Sequence, residues 1–195
     1  MDFSKITFKL SASALEHFPC DALPEIAFVG RSNVGKSSLL NLLADHRGLA
    51  KVSKTPGRTQ LINFFAIDDK AYLVDLPGYG YADVPASIKR HWQKLMHDYL
   101  TEREYLRGLI LLLDIRREPS PEDLQMLEWL GVRALPVLIV LTKIDKLGRN
   151  DVLNRSTKLA KTLDMNPRHF ILSSALQKVG AKELRQAVAE LVASL

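Results

Sequence analysis

Gly30-Arg31-Ser32-Asn33-Val34-Gly35-Lys36-Ser37 fits the spacing G-x-x-x-x-G-K-[ST] at every specified position. Glycines at 30 and 35 let the backbone bend, so that its N–H groups and the positive end of the following helix can wrap a polyphosphate. Lys36 would reach the β and γ oxygens, and the Ser37 hydroxyl would ligate Mg²⁺. Every residue from Gly30 through Ser38, including Arg31, Ser32, Asn33 and Val34, is therefore a candidate contact to such a group.

A phosphate loop leaves the base unspecified, and Thr142-Lys143-Ile144-Asp145 addresses it. The tetrapeptide ends the strongest apolar run, where ligands bind in open α/β sheets. An Asp carboxylate there accepts hydrogen bonds from N1 and N2 of guanine, and adenine offers no matching donor pair. Leaving that carboxylate desolvated and unpaired is enough for discrimination of about 10⁴. The Lys143 stem can lie along the purine ring. Ser173-Ser174-Ala175 follows the last strand, where a backbone N–H can meet the guanine O6; alone, that tripeptide carries little information.

Asp75-Leu76-Pro77-Gly78 is a D-x-x-G, a loose pattern made informative by its place at a strand end. Asp75 can hold Mg²⁺ through water, and the Gly78 N–H can meet a γ-phosphate. The stretch from Asp45 to Gln60 lacks clear periodicity, and loops of that length in compact domains are usually functional. Within it Gly57, Arg58 and Thr59 are candidate contacts. Thr55 and Thr59 both could supply a second hydroxyl to Mg²⁺, with Thr59 favoured because it abuts the next strand. Lys36, Thr59 and Gly78 are the candidate catalytic residues.

The elements that must position these groups follow from periodicity. Strands are expected at Glu25 to Val29, Leu61 to Ile67, Ala71 to Val74, Gly108 to Leu113, Pro136 to Leu141 and Phe170 to Leu172, with a further candidate near Ile6 to Leu10. Ile26 to Val29, Leu109 to Leu113 and Val137 to Leu141 are apolar throughout, as strands covered on both faces should be. Only Asp68, Asp69 and Lys70 separate the second and third runs, which predicts an antiparallel hairpin and one reversed edge strand. Helices are expected at Lys36 to Ala44, Pro85 to Arg103, Pro121 to Leu130, Asp151 to Leu163 and Ala181 to Ser194. Ser120, Pro121 and Asp123 spell a capping box for the third. In the second, Ile88, Trp92, Leu95, Met96, Tyr99 and Leu100 share one face and read as core, while Lys89, Arg90 and Lys94 read as solvated. The fold class is α/β, a mostly parallel sheet of six or seven strands with helices on both faces.

Composition narrows the classes. The chain has 195 residues, 47% hydrophobic and 25% charged, values of a folded globular chain. A single cysteine, Cys20, cannot form an internal disulfide, and the N-terminal segment has no uninterrupted apolar core of the signal-peptide kind, so a cytoplasmic protein is expected. The longest apolar run, Ala134 to Leu141, is far short of the roughly 20 residues of a membrane span. The net charge of +5 is compatible with a polyanionic partner. His17, His46, His91, His97 and His169 lack metal-ligand spacing, so no zinc site is expected. Arg31, Arg58, Arg116 and Arg117 could touch phosphate or RNA, although a solvated side chain is the simpler reading of each.

Taken together, Gly30 to Ser38, Lys54-Thr-Pro-Gly-Arg-Thr-Gln60, Asp75-Leu-Pro-Gly-Tyr-Gly-Tyr81 and Thr142 to Asp145 resemble the translation-factor (TrmE/Era-like) class of P-loop GTPases, and within it the EngB (YihA/YsxC) family of bacterial small GTPases. The resemblance covers about residues 5 to 194. It implies a Ras-like fold, one GTP-binding domain over residues 1–195 with 1–22 as an extension or edge strand, and Mg²⁺-dependent binding of GTP and GDP. It also implies a role in assembly of the large ribosomal subunit or its rRNA precursor and a requirement in cell division and septation. Separately, a monomer with no DNA or membrane partner is expected. Thr142 stands where many GTPases carry Asn, and Ser173 to Gln177 matches the last guanine motif loosely.

Tyr79 occupies the position of the water-orienting Gln of Ras-like enzymes, so intrinsic hydrolysis should be slow and need a partner or ion. Asn33 is a candidate K⁺ ligand beside the phosphates, as in GTPases activated by potassium. Two classes follow: a slow GTPase switch that binds a ribosomal precursor, and a GTP-gated binding module in cell division whose turnover is incidental. A metabolic P-loop kinase ranks third, because no segment is left for a substrate lid.

Overall fold

The computed structural model describes residues 1–46, 48–50, 61–80 and 86–193. Seven strands run β1 (Ile6–Ala12), β2 (Glu25–Gly30), β3 (Ile62–Ile67), β4 (Ala71–Asp75), β5 (Leu106–Asp114), β6 (Val137–Thr142) and β7 (Phe170–Leu172). Five helices are interleaved: α1 (Lys36–Ala44), α2 (Ala86–Glu102), α3 (Pro121–Val132), α4 (Arg149–Thr162) and α5 (Ala181–Ala193). All seven expected strands and five expected helices are present, with ends moved by a few residues. Pro85 and Ser194, given above as helix ends, lie outside the described residues.

The strand order is β1-β3-β4-β2-β5-β6-β7. β4, β2, β5, β6 and β7 pair in parallel, whereas β3 is antiparallel to both β4 and β1. The hairpin is as expected, but its reversed strand is one place in from the edge, which corrects the expectation of a reversed edge strand. The reason is β1, whose residues Ile6 to Ala12 pair along the outer side of β3, with a register irregularity between Phe8 and Leu10. A bulge on an edge strand interrupts its pairing surface, one of the ways folded proteins discourage edge-to-edge association.

Period-two alternation divides the sheet into two cores. Ile26 and Phe28 of β2, with Ile110 and Leu112 of β5, face α1 and α5, where Leu39, Leu40, Leu43, Leu184 and Val188 meet them. Ala27, Val29, Leu109, Leu111 and Leu113 face the opposite layer, built from Leu95, Tyr99, Leu130 and Leu159 of α2, α3 and α4. Leu95, Tyr99 and Leu100 are buried and Met96 packs beside them, as their spacing predicts; the side chains of Ile88, Lys89 and Trp92 lie outside the described set. Arg90 and Lys94 are exposed. Because both faces are covered, the central strands deliver their C-terminal ends, Gly30, Asp75, Asp114 and Thr142, to one edge of the sheet. No helix among the described residues is long and apolar enough to cross a membrane.

The α3 start forms as its sequence dictates. The Asp123 N–H donates to Ser120 Oγ at 3.3 Å, and the Ser120 N–H donates to Asp123 Oδ2 at 2.7 Å. Both ends of the box are satisfied, with Pro121 at the first position, where it needs no donor.

Candidate functional site

The loop leaving β2 turns where only glycine fits. A Cβ at Gly30 would lie 2.8 Å from the Leu112 carbonyl oxygen and 3.0 Å from Val34 Cγ1. Asn33 takes the left-handed conformation at φ 59°, and Gly35 follows at φ 117°. Gly35 is also the N-cap of α1 and has no side chain to cap it, so the first amides of the helix open toward the bend. Those amides and the helix dipole make the bend a ready anion cradle.

Lys36 and Asp75 meet at the floor of this cradle. Lys36 Nζ stands 3.9 Å from Asp75 Oδ1, and both side chains are largely shielded. Asp75 Oδ1 is buried and has no hydrogen-bond partner, and burial pushes its carboxyl upward against the opposing pull of Lys36. A buried anionic oxygen without a donor is costly unless something charged completes it. Ser37, one residue along α1, is half-buried at the same end. Among the described residues no group of three or more His, Cys, Asp or Glu could hold a metal.

The segment after Asp75 is laid across the phosphate loop. Leu76 is fully buried in the α2–α4 core, so only its backbone is available there; its N–H donates to the Phe28 carbonyl at 3.1 Å. Pro77 is buried behind it. A Cβ at Gly78 would come within 3.2 Å of both Lys36 Nζ and the Ser32 nitrogen, so the segment crosses the phosphate loop in close contact. The Ser32 N–H donates to the Tyr79 carbonyl at 2.9 Å, and the Tyr79 N–H reaches the Gly30 carbonyl at 3.4 Å. The Tyr79 hydroxyl donates to Asp123 Oδ1, the carboxylate that caps α3 with its other oxygen. Burial, then the Asp123 charge, raise the Tyr79 hydroxyl well above its ordinary value. Tyr79 is thus tied at backbone and side chain.

At the other end of the cradle lies a pocket of about 330 Å³, lined by Gly35, Thr142, Lys143, Asp145, Ser173 and Ala175 among others. Ser174 Oγ donates to Asp145 Oδ1 at 2.7 Å, and the Gln177 N–H donates to Ser174 Oγ at 3.1 Å. This hydrogen bond, reinforced by Lys146 at 3.2 Å from Oδ2, holds the Asp145 carboxyl below its usual range. The pair Ser174–Asp145 gives the loose tripeptide its meaning: one serine orients the carboxylate that the pocket presents. Ile144 tucks into the core, and its N–H donates to the Ser173 carbonyl at 3.3 Å, joining the two base-side loops.

Thr142 is turned away from that role. Its buried hydroxyl lies 2.8 Å from the Val34 carbonyl and 3.2 Å from the Leu113 carbonyl, so it fastens β6 to the phosphate loop. Lys143, in the left-handed conformation at φ 61°, extends its ammonium to the Asn33 carbonyl at 2.7 Å. A residue that motif reading missed meets it there: Asp114, at the end of β5 opposite Thr142, accepts from Lys143 Nζ at 3.0 Å. Its only sequence signal is its place at the C-terminal end of an apolar strand.

The structure therefore brings together Gly30 to Ser38, Asp75 to Gly78, Thr142 to Asp145 and Ser173 to Ala175 along one sheet edge. The proposed contacts at Gly57, Arg58 and Thr59, and the alternative Thr55, lie outside the described residues.

Comparison with known proteins agrees with this arrangement. The family model described as 50S ribosome-binding GTPase matches residues 25–143. A probable GTP-binding protein EngB of Citrifermentans bemidjiense is 50% identical over 173 residues, covering 89% of this chain and 81% of the relative. One from Trichlorobacter lovleyi is 49% identical over 195 residues, covering 98% of each. The crystal structure of a probable GTP-binding protein engB superposes with a TM-score of 0.70 at 23% identity, over 86% of this chain and 98% of that one. That of Era in complex with MgGDPNP and nucleotides 1506-1542 of 16S ribosomal RNA gives 0.68 at 23% identity, over 87% and 56%. A phosphate cradle, a D-x-x-G segment across it and an oriented carboxylate at the base end, in a chain about half identical to these relatives, place it in the EngB family of P-loop GTPases.

Proposed function

We propose that the chain is a Mg²⁺-dependent GTPase switch with slow intrinsic turnover, whose GTP form engages the large ribosomal subunit or its rRNA precursor in the cytoplasm and is needed for normal cell division and septation. The observation that carries the nucleotide part is the Asp145 carboxylate, oriented by Ser174 beside the phosphate cradle. Guanine N1 and N2 donate to it, the Ala175 N–H meets O6, and the Lys143 stem flanks the ring.

The open amides at the start of α1 and the Lys36 ammonium grip the β- and γ-phosphates, and the Gly78 N–H meets the terminal one. The unpartnered Asp75 Oδ1 fits a hydrated cation, and Ser37, with Thr59, would hold the Mg²⁺ directly. Mg²⁺ supplies neutralisation of charge that develops on the β- and γ-oxygens. Lys36 stabilises the same charge, and residues 76–79 hold the end of the phosphate chain against the loop. Slow turnover is supported by Tyr79, whose hydroxyl is committed to Asp123 and not to an attacking water. Asn33, exposed at the loop crest, is the candidate ligand through which K⁺ completes the site.

The ribosomal part is supported by the description of the matching family as 50S ribosome-binding. It is tested by co-sedimentation with ribosomal subunits in a non-hydrolysable GTP analogue against GDP. Association with the large subunit in the GTP state alone is expected; equal association in both states, or none, contradicts it. Turnover in KCl should exceed that in NaCl at equal ionic strength, and equal rates discard the potassium site. Binding to large subunits that leaves hydrolysis unstimulated would contradict the switch and favour the GTP-gated binding module whose turnover is incidental.

A further inference from the structure

Asp114 belongs to no part of the phosphate or base motifs, yet its carboxylate is among the most fully engaged in the chain. It is 8% exposed at the end of β5. Oδ1 accepts from the Arg116 N–H at 3.1 Å and from Arg116 Nε at 2.9 Å; Oδ2 accepts from Arg116 Nη2 at 2.7 Å and from Lys143 Nζ at 3.0 Å. The guanidinium fork fixes the carboxylate in both position and plane, as a bidentate pair does. Burial alone would push this carboxyl up, but the donors outweigh it and hold it well below the usual range.

The consequence falls on Lys143. A lysine ammonium is a point charge on a flexible stem, and it takes its direction from what surrounds it. Here its surroundings are one rigid anion, Asp114 Oδ2, and one backbone acceptor, the Asn33 carbonyl at 2.7 Å. Asn33 is the left-handed residue at the crest of the phosphate loop, so a donor on its carbonyl fixes the peptide whose orientation aims the neighbouring amides. Lys143 itself is followed within two residues by Asp145. The chain Arg116–Asp114–Lys143–Asn33 thus joins the end of β5, the base loop and the phosphate loop.

We infer that Asp114 is a positioning residue for nucleotide binding: locked by Arg116, it holds Lys143 as a brace between the base loop and the phosphate loop, so that grip on the guanine and grip on the phosphates are coupled. This rests on the assignment of the pocket to guanine and the loop to phosphates. A solvated ion pair would not show the burial of Asp114.

The test is release of a fluorescent GDP from the full chain, with turnover measured in parallel. Asp114→Asn removes the anion and should speed release about tenfold, the scale of one charge-assisted hydrogen bond. Lys143→Met should do the same. The double variant should be no more than about twofold faster than the worse single one, because both cut the same brace. The KM for GTP should rise with the release rate while kcat moves less than about threefold, a split that a general loss of structure would not produce. Arg116→Ala leaves the carboxylate in place but unlocks it, so it guards against misfolding of the first variant; about threefold faster release is expected. Release within twofold of the parent in both Asp114→Asn and Arg116→Ala overturns the inference, as does a double variant in which the two effects multiply. Failure of the guanine assignment would show separately, as unchanged base preference in Asp145→Asn.

Discussion

Two glycine-to-alanine substitutions of the same chemistry should move stability in opposite directions. At Gly30 the added methyl would sit 2.8 Å from the Leu112 carbonyl oxygen and 3.0 Å from Val34 Cγ1, and the nearer neighbour is backbone in the fully covered strand β5. Restoring ordinary contact near 3.4 Å requires β2 and β5 to part by several tenths of an ångström in a core with no slack, an overpacking cost of about 1–3 kcal/mol. In a chain of this size that lowers the melting temperature by about 3–10 °C. At Gly131, inside α3, a Cβ meets nothing within 4 Å. The only change there is lost freedom of the unfolded chain and better helix propensity, a gain of about 0.5–1 kcal/mol, or about 1–4 °C. Thermal unfolding of Gly30→Ala and Gly131→Ala without nucleotide, followed by circular dichroism, measures both. Shifts of the same sign, or a Gly30→Ala melting point within 1 °C of the parent, would refute the reading of Gly30 as fixed by close strand approach.

Two further outcomes follow from the ion pairs. Arg103 donates to the fully buried Glu25 through Nε at 2.9 Å and Nη2 at 2.5 Å, while the Tyr99 hydroxyl donates to the other Glu25 oxygen at 2.9 Å. Arg103→Met strands that carboxylate and should cost about 3–5 kcal/mol in denaturant unfolding, most of it recovered when Glu25→Gln is added; a double variant no more stable than the single one would contradict this. On the surface, the hydrogen bond from Lys70 holds the Asp68 carboxyl at about 2, below its ordinary 3.8. Its stabilisation is therefore present above about pH 4 and disappears as pH falls toward 2. Asp68→Asn should flatten that part of the melting-temperature profile, and parallel profiles for parent and variant would contradict it.

Much of the site was legible because its parts are local. The phosphate loop, the capping box at Ser120 and the apolar central strands each declare themselves within a few residues, by glycine spacing, cap chemistry or unbroken hydrophobicity. What escaped depends on which strands become neighbours. That β3 lies one place in from the edge follows from the N-terminal strand closing over it, and the run near Ile6 carries only a weak strand pattern of its own. Thr142 belongs to the base-reading tetrapeptide by its place in the sequence, but the approach of β6 to the phosphate loop offers its hydroxyl the Val34 carbonyl instead. Asp114 became visible only once β5 and β6 were in register. Asp123 was legible as half of a helix cap; that its second oxygen would receive Tyr79, 44 residues away, was not. In each case the residue type was informative and its partner was set by topology.

Nucleotide preference of Asp145→Asn tests the account most directly. Exchanging one acceptor for an amide donor removes the partner of guanine N1 and N2 and supplies one for a base with a carbonyl at position 2. Competition of GTP and xanthosine triphosphate against a fluorescent guanine nucleotide should show weakened GTP binding and a gain for xanthosine triphosphate in the variant. If the variant keeps the parent's preference for GTP, the carboxylate does not read the base and the assignment of this pocket is wrong.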